Sequence, residues 1–325
     1  MSPILSKPSE VTRRLRRQPV DRAEAEDWSR KSAEPNLAAN GVSWLPVPAW
    51  KKTAWLWHGF STRKGGESRV YCAENAPAEL NLGFTAEDDR QTVARNRRLL
   101  AAAVTGDAST PLLTARQFHS GLVTVLHAKD AHRTQPHKAD GLMTNEPGFL
   151  LGIHTADCIP VLVADRKRKV VAAFHAGWRG TVKRIVEAGV GRMSLEFGSQ
   201  PKDLVAAIGP GIGLCCYAVG EEVRSEFESQ FTYARELFRE ICDADPVRNR
   251  YPIPQQALTH SPSAPSLHLD LAEANRRQLL DAGLKASAVE IVGGCTNCQN
   301  ELFFSHRAEH GHAGRLMAVI GIKPR

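Results

Sequence analysis

Apolar residues along this chain gather in short runs bounded by turn residues. "PLLTARQF", "LVTVLHA", "FLLGIHTAD", "IPVLVAD" and "KVVAAFHA" have strand length, and several lack the polar alternation of a solvated face, which predicts strands buried on both sides. "DLVAAIG", "VEIVGG" and "RLMAVIGI" predict further strands. Helical spacing is found in four places. "DDRQTVARNRRLLAAAV" opens with acids, which suits the positive end of the helix dipole. "GTVKRIVEAGVGRM" carries a stripe of Val182, Ile185, Val186, Val190 and Met193, and "VGEEVRSEF" and "LDLAEANRRQLLDAG" complete the set. "DADPVRNRYPIPQQALTHSPSAPS" is rich in Pro and polar residues and predicts a long surface loop. Residues 1–45 read as a mobile basic and polar tail, and 46–325 as a single domain without internal repeats. The expected class is α/β (α+β-like): one mixed β-sheet flanked by helices.

Composition narrows the picture without specifying it. With 325 residues, 42% hydrophobic and 24% charged, the chain can bury a large core and is ordinary for a soluble protein. No apolar run approaches the roughly 20 residues that cross a bilayer. The first residues lack the layout of a secretory signal, so a cytoplasmic location is expected. Seven cysteines without repeating spacing argue for reduced thiols rather than a disulfide framework. The net charge of +7 includes Arg13, Arg14, Arg16 and Arg17, but acids follow closely in "DRAEAED" and no nucleic-acid module is present. Neither nucleic acid nor membrane is an expected partner. Oligomeric state is not encoded, and a monomer is one plausible state.

The chemistry concentrates where apolar runs end. His119 in "ARQFHSG", Cys158 in "HTADCIP" and His175 in "AAFHAGW" each place a metal-capable side chain there, with His154 a fourth candidate. Two imidazoles and one thiolate suit zinc, and three protein ligands leave a fourth position open, as catalytic sites do. Taken singly, each His also reads as a hydrogen-bonded structural residue and Cys158 as a small buried apolar group. "CTNC" (Cys295 to Cys298) resembles half of a zinc ribbon, but Cys215 and Cys216 have the wrong spacing for its second half, so packed thiols are expected. "GPGIG" (Gly209 to Gly213) lacks the phosphate-loop and dinucleotide fingerprints and reads as a tight turn. Arg63, Arg179 and Arg307 present guanidinium groups suited to paired hydrogen bonds with phosphate. Arg179 stands where a helix begins, which favours an anion nearby, although each arginine also reads as a solvated loop residue.

Taken in order, "HGFSTRKGG", "ELNLGF", "RNRRLL", "RQFHSG", "ADGLMT", "HTADCIPVLVAD", "AAFHAGWRGTVKRIV", "AIGPGIGLCCYAVGEEV", "LDLAEANRRQL", "CTNCQNELFFSHR" and "GRLMAVIGI" resemble the laccase-domain, polyphenol-oxidase-like family over residues 53–322. The resemblance implies a single α/β domain with a metal site in a surface cleft, its ligands at His119, Cys158 and His175. It implies phosphorolysis of purine nucleosides (adenosine, inosine, guanosine and methylthioadenosine) with phosphate, together with adenosine deamination. Copper-dependent phenol oxidation and editing of peptidoglycan precursors are the alternatives attached to the same family.

The residues separate these readings. Multicopper chemistry needs several His-x-His pairs, yet the 12 histidines form only one, His310 and His312. Zinc is therefore the expected ion, with copper the alternative. Arg63 and Arg179, with the helix after His175, are expected to hold phosphate, and Arg307 to assist. Asp157 is expected either as an acid/base or, preferably, as a group orienting Cys158. His306 and Ala308 stand where relatives often carry Tyr and a second Arg.

Overall fold

The computed structural model describes residues 20–21, 34–133, 135–242 and 265–324. The strands in chain order are β1 (Val20–Asp21), β2 (Asn36–Leu37), β3 (Ser43–Leu45), β4 (Leu56–Ser61), β5 (Lys64–Ser68), β6 (Leu112–Thr114), β7 (Val123–Val125) and β8 (Gly141–Thr144). They continue with β9 (Leu150–Thr155), β10 (Ile159–Asp165), β11 (Val170–Ala176), β12 (Leu204–Ile208), β13 (Phe238–Cys242), β14 (Ser266–Leu269), β15 (Val289–Ile291) and β16 (Leu316–Ile322). The helices are α1 (Arg90–Thr105), α2 (Trp178–Val182), α3 (Ile185–Phe197), α4 (Glu221–Gln230) and α5 (Leu271–Asp281).

The strands distribute over two six-stranded sheets rather than one. The first has the order β15-β12-β10-β11-β8-β7, the second β2-β3-β4-β16-β9-β6, and β1-β13-β14 form a small third sheet. Both large sheets are mixed: β12–β15, β7–β8 and β6–β9 are parallel pairs and the remaining pairs are antiparallel. Side chains alternate across a strand, so each sheet has two faces to bury. Leu162, Ala164, Val171 and Ala173 of the first sheet meet Phe60, Leu151, Ile153, Ala318 and Ile320 of the second in one buried cluster. The opposite residues, Val161, Val163, Ala172 and Phe174, pack on α3, α4 and α5 through Val190, Met193, Phe227 and Leu279. α1 covers the far face of the second sheet, with Leu100 and Ala101 against Leu150, Met317 and Val319. The result is four layers, helix–sheet–sheet–helices. That explains why β10 and β11 are buried throughout and apolar at every position but Asp165 and His175, which stand near their ends.

Local signals set the helix ends. Asp89 caps α1 by accepting from Thr92 N at 2.8 Å, and Asp270 caps α5 by accepting from Glu273 N at 2.9 Å. The single helix expected over "GTVKRIVEAGVGRM" is broken instead. Arg184 takes φ 56°, ending α2 and starting α3. Its guanidinium is held by Glu187 at 2.6 Å and by the Gln230 carbonyl at 2.5 Å, over the Phe231 ring at 4.7 Å. Long-range contacts thus select a left-handed residue that the 3.6-residue pattern does not show.

Strands also precede residue 46. β2 and β3 join the second sheet, with Val42 and Leu45 fully buried, because "VSWLPV" supplies apolar positions inside a stretch that looks polar on average. Residues 1–19 and 22–33 of the expected tail and 243–264 of the Pro-rich loop lie outside the described residues. Among the described residues, no helix is long and apolar enough to cross a membrane. At "GPGIG", a Cβ on Gly209 would overlap the Phe60 ring, so this turn is made of glycine for close packing.

Candidate active site

The two large sheets are joined by chain segments that cross from one layer to the other. His119 lies in the crossing from β6 to β7, Cys158 in the crossing from β9 to β10, and His175 near the end of β11. Their side-chain donors converge within 4.8 Å of one another. Cys158 Sγ is 3.8 Å from His119 Nε2, and the two imidazole rings meet edge-on with centroids 4.9 Å apart. His175 is buried, Cys158 half-buried and His119 exposed, so the donor set opens on one side. It opens into a cleft of about 720 Å³, within the usual range for small-molecule sites.

Asp140, just before β8, organises this triad. Its carboxylate is fully buried and accepts from His119 N at 3.0 Å, Ser120 N at 2.7 Å, Ser120 Oγ at 2.6 Å and His175 Nδ1 at 2.9 Å. Phe118 N adds a longer contact at 3.2 Å. Three successive backbone N–H groups can converge on one carboxylate because His119 adopts φ 60°, turning the loop into an anion-binding nest. The bond to Asp140 also fixes the His175 tautomer, leaving Nε2 for the cleft. Burial alone would raise the Asp140 carboxyl, but hydrogen bonds from His175 and Ser120 hold it well below the usual range. Burial opposes charge on Cys158 and His175 as well. The charge of His175 and the hydrogen bond from His119 outweigh it and lower the Cys158 thiol to about 6; Cys158 and Asp140 in turn raise His175 to about 9. The triad is thus a thiolate held beside an imidazolium, ready to exchange the imidazolium proton for a cation.

Gly177 is the second contributor that the sequence did not single out. A Cβ there would stand 2.8 Å from Cys158 Sγ and 3.0 Å from His119 Cδ2, so only glycine leaves the donors their room.

The structure separates the remaining candidates. Asp157 adopts φ 84°, and its carboxylate accepts from Thr296 Oγ1 at 2.6 Å, Ser305 Oγ at 2.7 Å and Arg307 N at 2.7 Å. These bonds make it a tie between the Cys158 loop and the two loops facing it. His154 lines the cleft but stands outside the triad. Its Nε2 contacts Arg97 Nη2 at 2.8 Å, and burial together with Arg97 lowers it to about 3, so the ring stays neutral.

Arg307 lines the cleft, as do Arg315, Tyr217, Phe84 and Gln117. Arg63 does not. It is buried in an ion-pair knot, donating to Glu79 at 2.6 and 3.0 Å, to Glu309 at 2.9 Å and to the Asn300 carbonyl at 2.5 Å, with Phe304 under its guanidinium. Its donors are spent on the fold, and the structure does not bring it to the cleft where phosphate is expected. Arg179 is exposed and stacked 4.3 Å over Trp178, outside the cleft lining. The helix it belongs to is a single turn, too short to hold an anion by its dipole. Arg315 was missed because "GRLMAVIGI" reads only as a strand; the fold places its first residues at the rim.

A second convergence lies next to the first. The sulfurs of Cys215, Cys216, Cys295 and Cys298 come within 4.8 Å of one another, and all four are free.

Residues 57–323 match a family profile described as multi-copper polyphenol oxidoreductase laccase. A purine nucleoside phosphorylase of Bacteroides thetaiotaomicron is 34% identical over 270 residues, covering 82% of this chain and 91% of that protein. The adenosine deaminase RL5 of an unknown prokaryotic organism is 32% identical over 267 residues, covering 80% and 92%. Among solved structures, Bacillus licheniformis YfiH superposes with a TM-score of 0.71 at 31% identity, covering 89% of this chain and 99% of that one.

Proposed function

This chain belongs to the multi-copper polyphenol oxidoreductase laccase family, and from that premise we propose that it is a zinc-dependent purine nucleoside phosphorylase with adenosine deamination as a second activity. The observation that carries the proposal is the open donor set of His119, Cys158 and His175 at the base of a cleft that also presents Arg307 and Arg315. Two nitrogens and a thiolate on three rigid segments fit a tetrahedral ion with one position free for a small molecule. Bound there, zinc supplies Lewis acidity and an activated water without redox chemistry of its own.

The chain's own residues divide the remaining work. Arg307 and Arg315 offer planar donors for a phosphate or for ribose oxygens. Phe84, exposed in the cleft and flanked by Arg90 at 4.6 Å and Arg97 at 4.1 Å, offers an apolar ring to a purine. Asp157 acts through others: it holds Arg307 and Cys158 in one frame and is a positioning residue. The oxidase reading lacks a donor set. Among the described residues, the groups of three or more metal-capable side chains are this triad and the four cysteines, and neither is rich enough in imidazole for clustered copper.

Incubation of zinc-loaded protein with inosine, with and without phosphate, tests the proposal. The expected products are hypoxanthine and ribose 1-phosphate, formed only with phosphate and lost in Cys158→Ala. Folded, metal-loaded protein that leaves both inosine and adenosine unchanged refutes it.

A further inference from the structure

We infer that Cys215, Cys216, Cys295 and Cys298 form a second metal site, a closed tetrathiolate that takes a soft divalent cation of the zinc class. Spacing argued against this because the two cysteine pairs stand about eighty residues apart and one pair is vicinal. Ligands need only meet in space, and here the fold brings them together. A parallel bridge between Gly211 and Cys295 sets the 211–217 loop alongside the 293–298 loop. A tight turn follows, with Cys216 N and Tyr217 N both donating to Gly213 O at 3.0 Å. It turns neighbouring side chains to the same side, so that Cys215 and Cys216 each approach Cys298 Sγ at 3.4 Å.

The distances suit a metal and not a bond between sulfurs. A disulfide needs about 2.05 Å. Four sulfurs about 2.3 Å from a central ion stand about 3.8 Å apart at tetrahedral geometry; here two separations are 3.4 Å and all four sulfurs lie within 4.8 Å of one another, close to that figure. Cys215, Cys216 and Cys295 are buried, and Gly213 N donates to Cys295 Sγ at 3.2 Å, a backbone donor aimed at a thiolate. Four protein ligands leave no position for substrate, which is the pattern of a structural ion. Binding exchanges the thiol protons for the cation and releases up to four protons to solvent, so the site tightens as pH rises.

The location gives this site a task. Thr296, between the two cysteines of the second pair, donates to Asp157, and Ile212 N donates to the Asp157 carbonyl at 2.8 Å. Both loops of the cysteine cluster therefore hold the segment that carries Cys158. An ion among the four sulfurs would clamp the cleft wall from behind, including Tyr217.

Zinc stoichiometry on the full chain, purified under reducing conditions, tests the inference. The wild-type protein should hold two equivalents after removal of loose metal. His119→Ala/Cys158→Ala should keep one, and X-ray absorption of that variant should show four sulfur neighbours at about 2.3 Å. Cys295→Ser/Cys298→Ser should lose that equivalent and keep the one in the cleft. Should this variant fail to fold, cobalt loading of His119→Ala/Cys158→Ala reads the same site through its sulfur-to-metal charge-transfer absorption. A triad variant that holds no zinc and shows no such band overturns the inference, as does a non-reduced protein in which these thiols are consumed as disulfides. Because the two sites are emptied by different substitutions, losing this site leaves the nucleoside assay to stand or fall separately.

Discussion

Replacing Asp140 by Asn keeps the shape of the side chain and removes one acceptor oxygen and the charge. In the folded protein Oδ2 receives Ser120 N and Ser120 Oγ, while Oδ1 receives His119 N and His175 Nδ1. An amide can serve only one of these pairs. With its oxygen toward His119 and His175, the NH₂ faces the Ser120 N–H donor to donor; flipped, it faces His119 N and the ring. One or two buried donors lose their acceptor, each costing about 1–3 kcal/mol, so the variant should be destabilised by about 2–5 kcal/mol. His175 also loses the partner that fixes its tautomer, a change that typically weakens metal binding 10–100-fold, or about 1.4–2.7 kcal/mol. Urea unfolding of the metal-free protein measures the first quantity, and zinc competition against a chromogenic chelator measures the second. A variant within about 0.5 kcal/mol of the parent whose zinc affinity is unchanged would show that Asp140 is not the organiser of the triad.

Three further outcomes follow from the same coordinates. Gly177→Ala should weaken zinc binding by tenfold or more while barely moving the urea midpoint, because the new Cβ meets Cys158 and His119 whereas the backbone φ of −69° suits alanine; an unchanged affinity in the competition titration contradicts this. Arg63→Ala should leave Glu79 and Glu309 without their buried partner and lower unfolding stability by about 3–5 kcal/mol, with the phosphate KM of the folded fraction unchanged. A raised phosphate KM at normal stability would return Arg63 to the substrate. Burial depresses His58 to about 4 against an ordinary 6.5, and its Nδ1 accepts from Val47 N at 3.2 Å. Between these values the unfolded chain binds the extra proton, so the contribution of neutral His58 is complete above about pH 6.5. As pH falls toward 4 it is lost, by about 3 kcal/mol; a stability–pH slope identical in His58→Gln removes this assignment.

Much of the fold is legible because burial writes itself into neighbouring residues. Apart from Asp165 and His175, β10 and β11 are apolar at every position since both their faces are covered, and Asp89 and Asp270 announce helix starts through purely local bonds. The partition of strands into two sheets is not legible, because an apolar run does not say which partner covers which face. The triad of His119, Cys158 and His175, whose donors the fold brings together, could be proposed from residue type and position at strand ends. Its organiser could not: Asp140 in "ADGLMT" looks like an ordinary turn acid, and its function depends on a loop that the sequence places twenty residues away. Arg63 shows the reverse case. Its motif suggests an anion, but the acids that consume its donors, Glu79 and Glu309, come from distant segments.

The triad draws its donors from two of the segments where the chain passes between the layers of the sandwich and from the strand beside them. Neither sheet alone carries a complete set. A metal ion held by this triad would therefore be captured tightly only after the sheets have docked in register. The time course of zinc uptake during refolding becomes a clock for that docking step, separate from the earlier appearance of strand and helix.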